Sequence, residues 1–144
     1  MEFVDDIYKK DENIVYRAIS KNGLAIKFVD DTLKKDMWKT AYYNNPLALE
    51  FVIEQFLSDP TTVCSQISSN PEVLRYIPDY YFYKHPDLLI WVKFAFKKNG
   101  LALEFASDTL KDNEDLVKVA INQNSQAIRF ASQRLQESLA IKAE

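Results

Sequence analysis

Two side chains in this sequence belong to types that do chemistry singly, Cys64 and His85, and each is the only one of its kind. A nucleophilic thiol needs a base close enough to hold it as thiolate, and a histidine base or metal ligand needs partners at fixed geometry. No spacing of His, Cys or carboxylates around either position supplies such partners. Cys64 is therefore expected to be buried as a small apolar residue. His85, directly before Pro86, is expected to cap a helix or stand at the surface. No catalytic residue, metal ligand or cofactor site is assigned, and the reading is of a protein that is not an enzyme.

Carboxylates recur more regularly. Asp6, Asp31, Glu54, Asp79 and Asp108 form an acidic column, ended by Gln133. Such a row could meet a basic segment or a cation, but by helical geometry it faces away from the core, and an ordinary solvated helix face is the first reading. The larger anomaly is aromatic: residues 76–96 hold Tyr76, Tyr80, Tyr81, Phe82, Tyr83, Trp91, Phe94 and Phe96. Tyrosine and tryptophan give large contact area with few rotors, which is why they dominate binding hot spots. Trp91, Phe96 and Tyr81 align with core positions, which leaves Tyr80, Phe82, Tyr83 and Phe94 as the candidate partner-binding surface.

These residues are set by a repeated phrase, an asparagine, an apolar cluster and an aromatic, at Asn22, Asn45, Asn70, Asn99 and Asn124. The seventh residue before each is Val15, Trp38, Val63, Val92 or Val117, and the third before is Ile19, Tyr42, Ile67, Phe96 or Ile121. Spacings of three and four predict a first helix, with a small residue at the fourth position before the asparagine, where a neighbouring backbone comes close. Apolar residues three, four, seven and eleven steps after the asparagine predict a second helix of about ten to twelve residues. Proline follows the asparagine in two copies, so the asparagines read as N-caps of that second helix. Asp11, Asp59 and Asn113 read as caps of first helices, and Pro78 as a break in the third copy.

A unit of this size cannot bury its own apolar face, so the fold expected is all-α, a solenoid-like array of about five helix-turn-helix repeats of roughly 25 residues, with partial repeats at both ends. The whole of 1–144 is read as a single α-helical repeat domain, either complete or a fragment of a longer protein. The aromatic at step six (Phe28, Phe51, Tyr76, Phe105, Phe130) is expected to wedge between repeats. Step five alternates in sign (Glu2, Lys27, Glu50, Arg75, Glu104, Arg129), which would place opposite charges side by side in successive copies.

Composition narrows the function. A net charge of −3 without a basic stripe argues against nucleic-acid binding. One cysteine excludes an internal disulfide and suits a reducing compartment. The chain has only two glycines, each directly after a repeat asparagine, too few for a phosphate-cradling loop. No apolar run is long enough to insert in a membrane, and a cytoplasmic protein is expected.

The segment Asn99-Gly-Leu-Ala-Leu-Glu-Phe-Ala-Ser-Asp-Thr-Leu-Lys111, with Leu116-Val-Lys-Val-Ala-Ile121 and the copy from Asn124, resembles a family of short α-helical Asn-Gly-x-Ala-Leu repeats catalogued as a domain of unknown function. That family recurs in proteins of intracellular bacterial pathogens, including secreted effectors, and in some protist and large-virus proteins. The resemblance implies a scaffold that binds another protein, with the host-cell cytosol as its place of action if it is part of a secreted effector. It implies no catalytic residue. The alternative reading is a small-ligand or nucleotide-binding helical domain with a pocket near the aromatic insertion 76–96.

Overall fold

The computed structural model describes residues 11–143, and these are helical throughout with no strand. They divide into two compact units, with the boundary between Pro60 and Thr61. In the first, α1 (Glu12–Lys21), η1 (Gly23–Phe28), α2 (Asp31–Asn44), η2 (Pro46–Phe51) and α3 (Ile53–Leu57) succeed one another, η denoting a 3-10 helix. The second contains α4 (Pro60–Ser69, starting at the boundary), η3 (Pro71–Tyr76), α5 (Asp79–Lys84), α6 (Leu88–Lys98), η4 (Gly100–Phe105), α7 (Asp108–Lys111), α8 (Glu114–Gln123), η5 (Ser125–Phe130) and α9 (Gln133–Ala143). In the first unit α1 packs on α2 and η1 on η2; in the second α6 packs on α8, η3 on η4 and η4 on η5.

Each asparagine of the repeat sits between an α-helix and a 3-10 helix. Its N–H donates to the carbonyl four residues back (Ala18, Ala41, Gln66, Ala95 and Ala120, at 2.7–2.9 Å), and its own carbonyl accepts from the residue three ahead. In four copies its side chain also accepts the N–H two ahead, from Leu24, Leu47, Leu101 and Gln126, at 3.0–3.1 Å. One residue thus closes one helix and opens the next, satisfying terminal groups on both sides. Asn70 holds the same position without the side-chain cap. Asp11 and Asn113 cap α1 and α8 as expected, and Asp59, directly before α4, makes an ion pair with Lys39 at 3.0 Å.

The second helix of the repeat differs from the expectation. It is six residues of 3-10 helix, ended at step seven by Val29, Ile77, Ala106 and Ala131 in extended backbone and by Val52 in an irregular one. The apolar spacing survives because step seven buries its side chain through this bend instead of through a further helical turn. Step eight then caps the next α-helix, by Asp30 on Thr32, Ser107 on Leu110 and Ser132 on Leu135. The break attributed to Pro78 is consequently general to the repeat. Repeat length sets the extent of the next helix: in the 25-residue copies α3 and α7 stop after four or five residues, whereas the 23-residue copy loses that stop and α2 runs unbroken for 14 residues.

The columns predicted as apolar are buried in nearly every copy, including all five residues at the seventh position before the asparagine and all five at step three. The step-six rings are the exception. Phe28, Phe51, Tyr76, Phe105 and Phe130 are half-buried, and three of them lie under step-five cations: Lys27 over Phe28 at 4.8 Å, Arg75 over Phe105 at 4.9 Å, Arg129 over Phe130 at 4.7 Å. The alternating charges therefore meet ring faces. Among the described residues no ion pair joins Lys27 to Glu50, or Glu104 to Arg75 or Arg129. Asp6, Glu2 and the opening Glu2–Asp6 segment lie outside the described residues.

Both glycines have ordinary negative-side backbone and are required by proximity. A Cβ on Gly23 would overlap the Ala41 carbonyl oxygen, and one on Gly100 the Ala120 carbonyl oxygen, both backbone atoms one copy further on. Gly23 N–H donates to Asn44 Oδ1 at 2.7 Å and Gly100 N–H to Gln123 Oε1 at 2.6 Å, while Asn44 Nδ2 returns a bond to the Ser20 carbonyl at 2.9 Å. The two copies with glycine after the asparagine are thus the two whose successor carries an amide just before its own asparagine. Where proline replaces glycine there is no N–H to satisfy, and Ser69 and Lys98 occupy the amide position. Gly100→Ala is expected to destabilise by about 1–3 kcal/mol, more than Asn99→Ala at about 1 kcal/mol. Chemical denaturation of the two variants measures both, and equal losses would contradict the close approach.

Candidate functional site

Residues 79–98 form two helices whose lengths result from the 29-residue spacing between Asn70 and Asn99. In α5, Tyr81 and Phe82 turn inward, while Tyr80 and Tyr83, three residues apart, share the outer side with exposures of 62% and 76%. Phe82, expected at the surface, is 6% exposed. It occupies the place of Lys34, Leu57, Lys111 and Gln136 in the other copies, and that place is half-buried in all four, so a large ring there turns into the core. Phe94 is exposed as expected, at 45%.

Helix α6 is apolar on two sides. Leu88, Val92, Ala95 and Phe96 are buried, while Ile90, Trp91 and Phe94 face solvent, Ile90 at 69% and Trp91 at 41% exposure. Trp91 aligns with a core column in sequence, and the structure moves it outward; its ring meets Phe94 edge to face at 6.4 Å. Ile90 is a surface residue that the aromatic pattern does not reveal. Its signal lies in the repeat: the residue nine before the asparagine is Asn13, Asp36, Thr61 and Asp115 elsewhere, so an isoleucine replaces a polar residue there. Phe94 stands where Arg17, Thr40 and Ser65 stand in three copies and Val119 in the fourth.

Of the acidic column, Asp31 and Glu54 line one groove along α2 and α3, with Lys34 and Lys35 beside them. Asp31 pairs with Lys34 at 3.1 Å, while Glu54 and Asp108 are exposed. Asp79 accepts hydrogen bonds from Ser107 Oγ at 2.6 Å and Thr109 Oγ1 at 2.8 Å, joining its copy to the next. Among the described residues no cluster of three or more His, Cys, Asp or Glu is placed to hold a metal ion.

An equivalent link sits outside the column. Asp112 accepts from Ser132 Oγ at 2.6 Å and Arg134 Nε at 3.0 Å, and the bond from Ser132, with that from Arg134, holds its carboxyl below the usual carboxylate range.

Cys64 is half-buried on α4, and burial pushes its thiol pKa up, with the Asp87 carboxylate adding to the effect. A raised pKa leaves less thiolate at neutral pH, the opposite of an activated nucleophile. His85 ends α5 with its ring 4.5 Å from that of Tyr81. Two open grooves run along α2 and α3, of about 390 and 350 Å³. They share Lys35, Glu54 and Gln55, and neither is lined by any residue of the aromatic insertion.

A family model described as a domain of unknown function (DUF4116) matches residues 1–34 and 92–136. No curated protein and no solved structure matches the chain. No described helix is long and apolar enough to cross a membrane.

Two outcomes test the site chemistry. Cys64 should react with iodoacetamide at pH 8 more slowly than free cysteine, and a rate at or above that of the free thiol would contradict the raised pKa. Because the Asp112 pKa is depressed on folding, its contribution is present above about pH 4, the unfolded carboxylate value, and fades as pH falls through the folded value. Asp112→Asn should therefore lower the melting temperature at pH 7 and narrow the gap to the parent as the solution is acidified. A gap that stays constant with pH would remove that linkage.

Proposed function

We propose that this chain, which belongs to the DUF4116 family, is a non-enzymatic helical scaffold that binds another protein through the outer faces of α5 and α6. The observation that carries this reading is the two-sided apolar character of α6. Its inner side is filled by α8 and η4, yet Ile90, Trp91 and Phe94 remain in water on the other. A helix held only by tertiary packing gains nothing from such residues unless a second surface covers them. Tyr80 and Tyr83 on α5 add two further rings of the type that anchors interfaces.

Solenoid-like stacking of successive repeats within each unit belongs to the same proposal. It is supported by the recurrence of the asparagine junction in all five copies and by the glycine contacts within each unit. Placement within a larger secreted effector acting in the host-cell cytosol is the biological form of this proposal, and it rests on the resemblance of the repeats.

The test is a crosslinking pull-down from cell lysate with the parent chain, a Tyr80→Ala, Tyr83→Ala variant and a Trp91→Ala, Phe94→Ala variant, each with unchanged melting temperature. Loss of the same captured protein in either variant is the expected result. Equal recovery of every protein by all three would end the reading.

A further inference from the structure

The charges on α6 specify the chemistry of what covers it, an inference that rests on the scaffold reading. The solvent side of the helix carries Ile90, Trp91, Lys93, Phe94, Lys97 and Lys98, and Leu88–Lys98 contains no carboxylate. At about 100° per residue, Ile90, Phe94 and Trp91 span roughly 100° of the surface, with Lys93 and Lys97 along one border. Lys98 lies on the apolar stripe itself, its Nζ 5.0 Å from the Phe94 ring centroid.

Among the described residues none of these three lysines makes an ion pair, whereas Lys34 and Lys118 are paired within their own helices. Lys97 and Lys98 also answer the carbonyls of the last turn, but Lys93 lies mid-helix, where the dipole has no influence. The carboxylates that flank the helix in sequence, Asp87 before it and Glu104 on η4 after it, are in no ion pair with these lysines. A cationic, aromatic face on a chain of net charge −3 runs against the balance of the molecule.

We propose that α6 seats an acidic peptide segment of another protein, with apolar side chains of that segment against Ile90, Trp91 and Phe94 and its carboxylates against Lys93, Lys97 and Lys98. Two such faces from copies of this chain would bring lysine onto lysine, which disfavours symmetric pairing. An anionic bilayer shares some of this chemistry. As an extended surface, however, it meets the net negative charge of the whole molecule, while a peptide meets only the local face within a Debye length of about 8 Å.

A random peptide library displayed on phage and panned on the folded chain at physiological salt tests this. The parent is expected to enrich sequences with Asp or Glu flanking Leu, Phe or Trp. A synthetic peptide from that pool should bind at least about tenfold more weakly to a Lys93→Glu, Lys97→Glu variant, and more weakly as salt rises. It should not bind a Trp91→Ala, Phe94→Ala variant. All substituted side chains are exposed, so melting temperatures serve as the folding control. Absence of enrichment, selection of neutral or basic peptides, or indifference to the lysine reversals overturns the proposal. Binding to phosphatidylserine–phosphatidylcholine vesicles without acidic-peptide selection overturns it in favour of a lipid surface. If proteins captured from lysate depend on Trp91 and Phe94 but not on Lys93 and Lys97, the scaffold reading stands and this inference alone falls.

Discussion

The structure turns on one backbone junction, repeated at Asn22, Asn45, Asn70, Asn99 and Asn124. There an α-helix ends and a 3-10 helix begins on the same residue, with no loop between them. The asparagine N–H is spent on the carbonyl four back and its own carbonyl on the residue three ahead, with the side chain covering a further N–H in four copies. A connection of this kind leaves few orphan groups to bury. At Gly23 and Gly100 it also lets one copy lay its backbone directly on the next, against the Ala41 and Ala120 carbonyls. Side chains then fill what the backbones leave: valine or tryptophan seven residues before, alanine or valine three after.

Polar links between copies obey the same economy. Asn44 and Gln123 satisfy the glycine N–H groups, Asp79 takes two hydroxyls, and Asp112 takes a hydroxyl and a guanidinium. Each is a bond between side chains or backbone one repeat apart, and each sits at the edge of an entirely apolar core. The exposed ones, from Thr109, Ser132 and Arg134, add little energy singly, so their use lies in registering one copy on the next. Against this regular background, α6 stands out, because three of its solvent positions carry Ile90, Trp91 and Phe94, two of them where the other copies mostly carry polar residues.

Much of this was legible without coordinates. The helical class, the asparagine caps, the inward columns and the exposure of Tyr80, Tyr83 and Phe94 are all consequences of residue type and spacing. What failed did so for identifiable reasons. Apolar spacing of three, four and seven is equally compatible with a continuous helix and with a 3-10 turn plus a buried extended residue, so the bend at Val29, Ile77, Ala106 and Ala131 was not visible. Alternating charges at step five suggested ion pairs, but an arginine or lysine also finds a ring face one residue away or one copy on. Phe82 and Trp91 were misplaced because both stand at the border between buried and exposed columns: the place of Phe82 is half-buried in the other copies, and that of Trp91 is exposed at Ile14 and buried at Met37 and Leu116.

By itself the sequence determined the period, the residue at every junction and which columns must be apolar, because helix capping and burial are local requirements that each residue type meets or fails alone. Tertiary structure decided the rest: the use of 3-10 geometry, the glycine-to-carbonyl approach, the pairing of Asn44 and Gln123 with those glycines, and which side of α6 is left in water. These depend on the distance and rotation between segments some 20 to 30 residues apart, and a spacing along the chain carries no record of either.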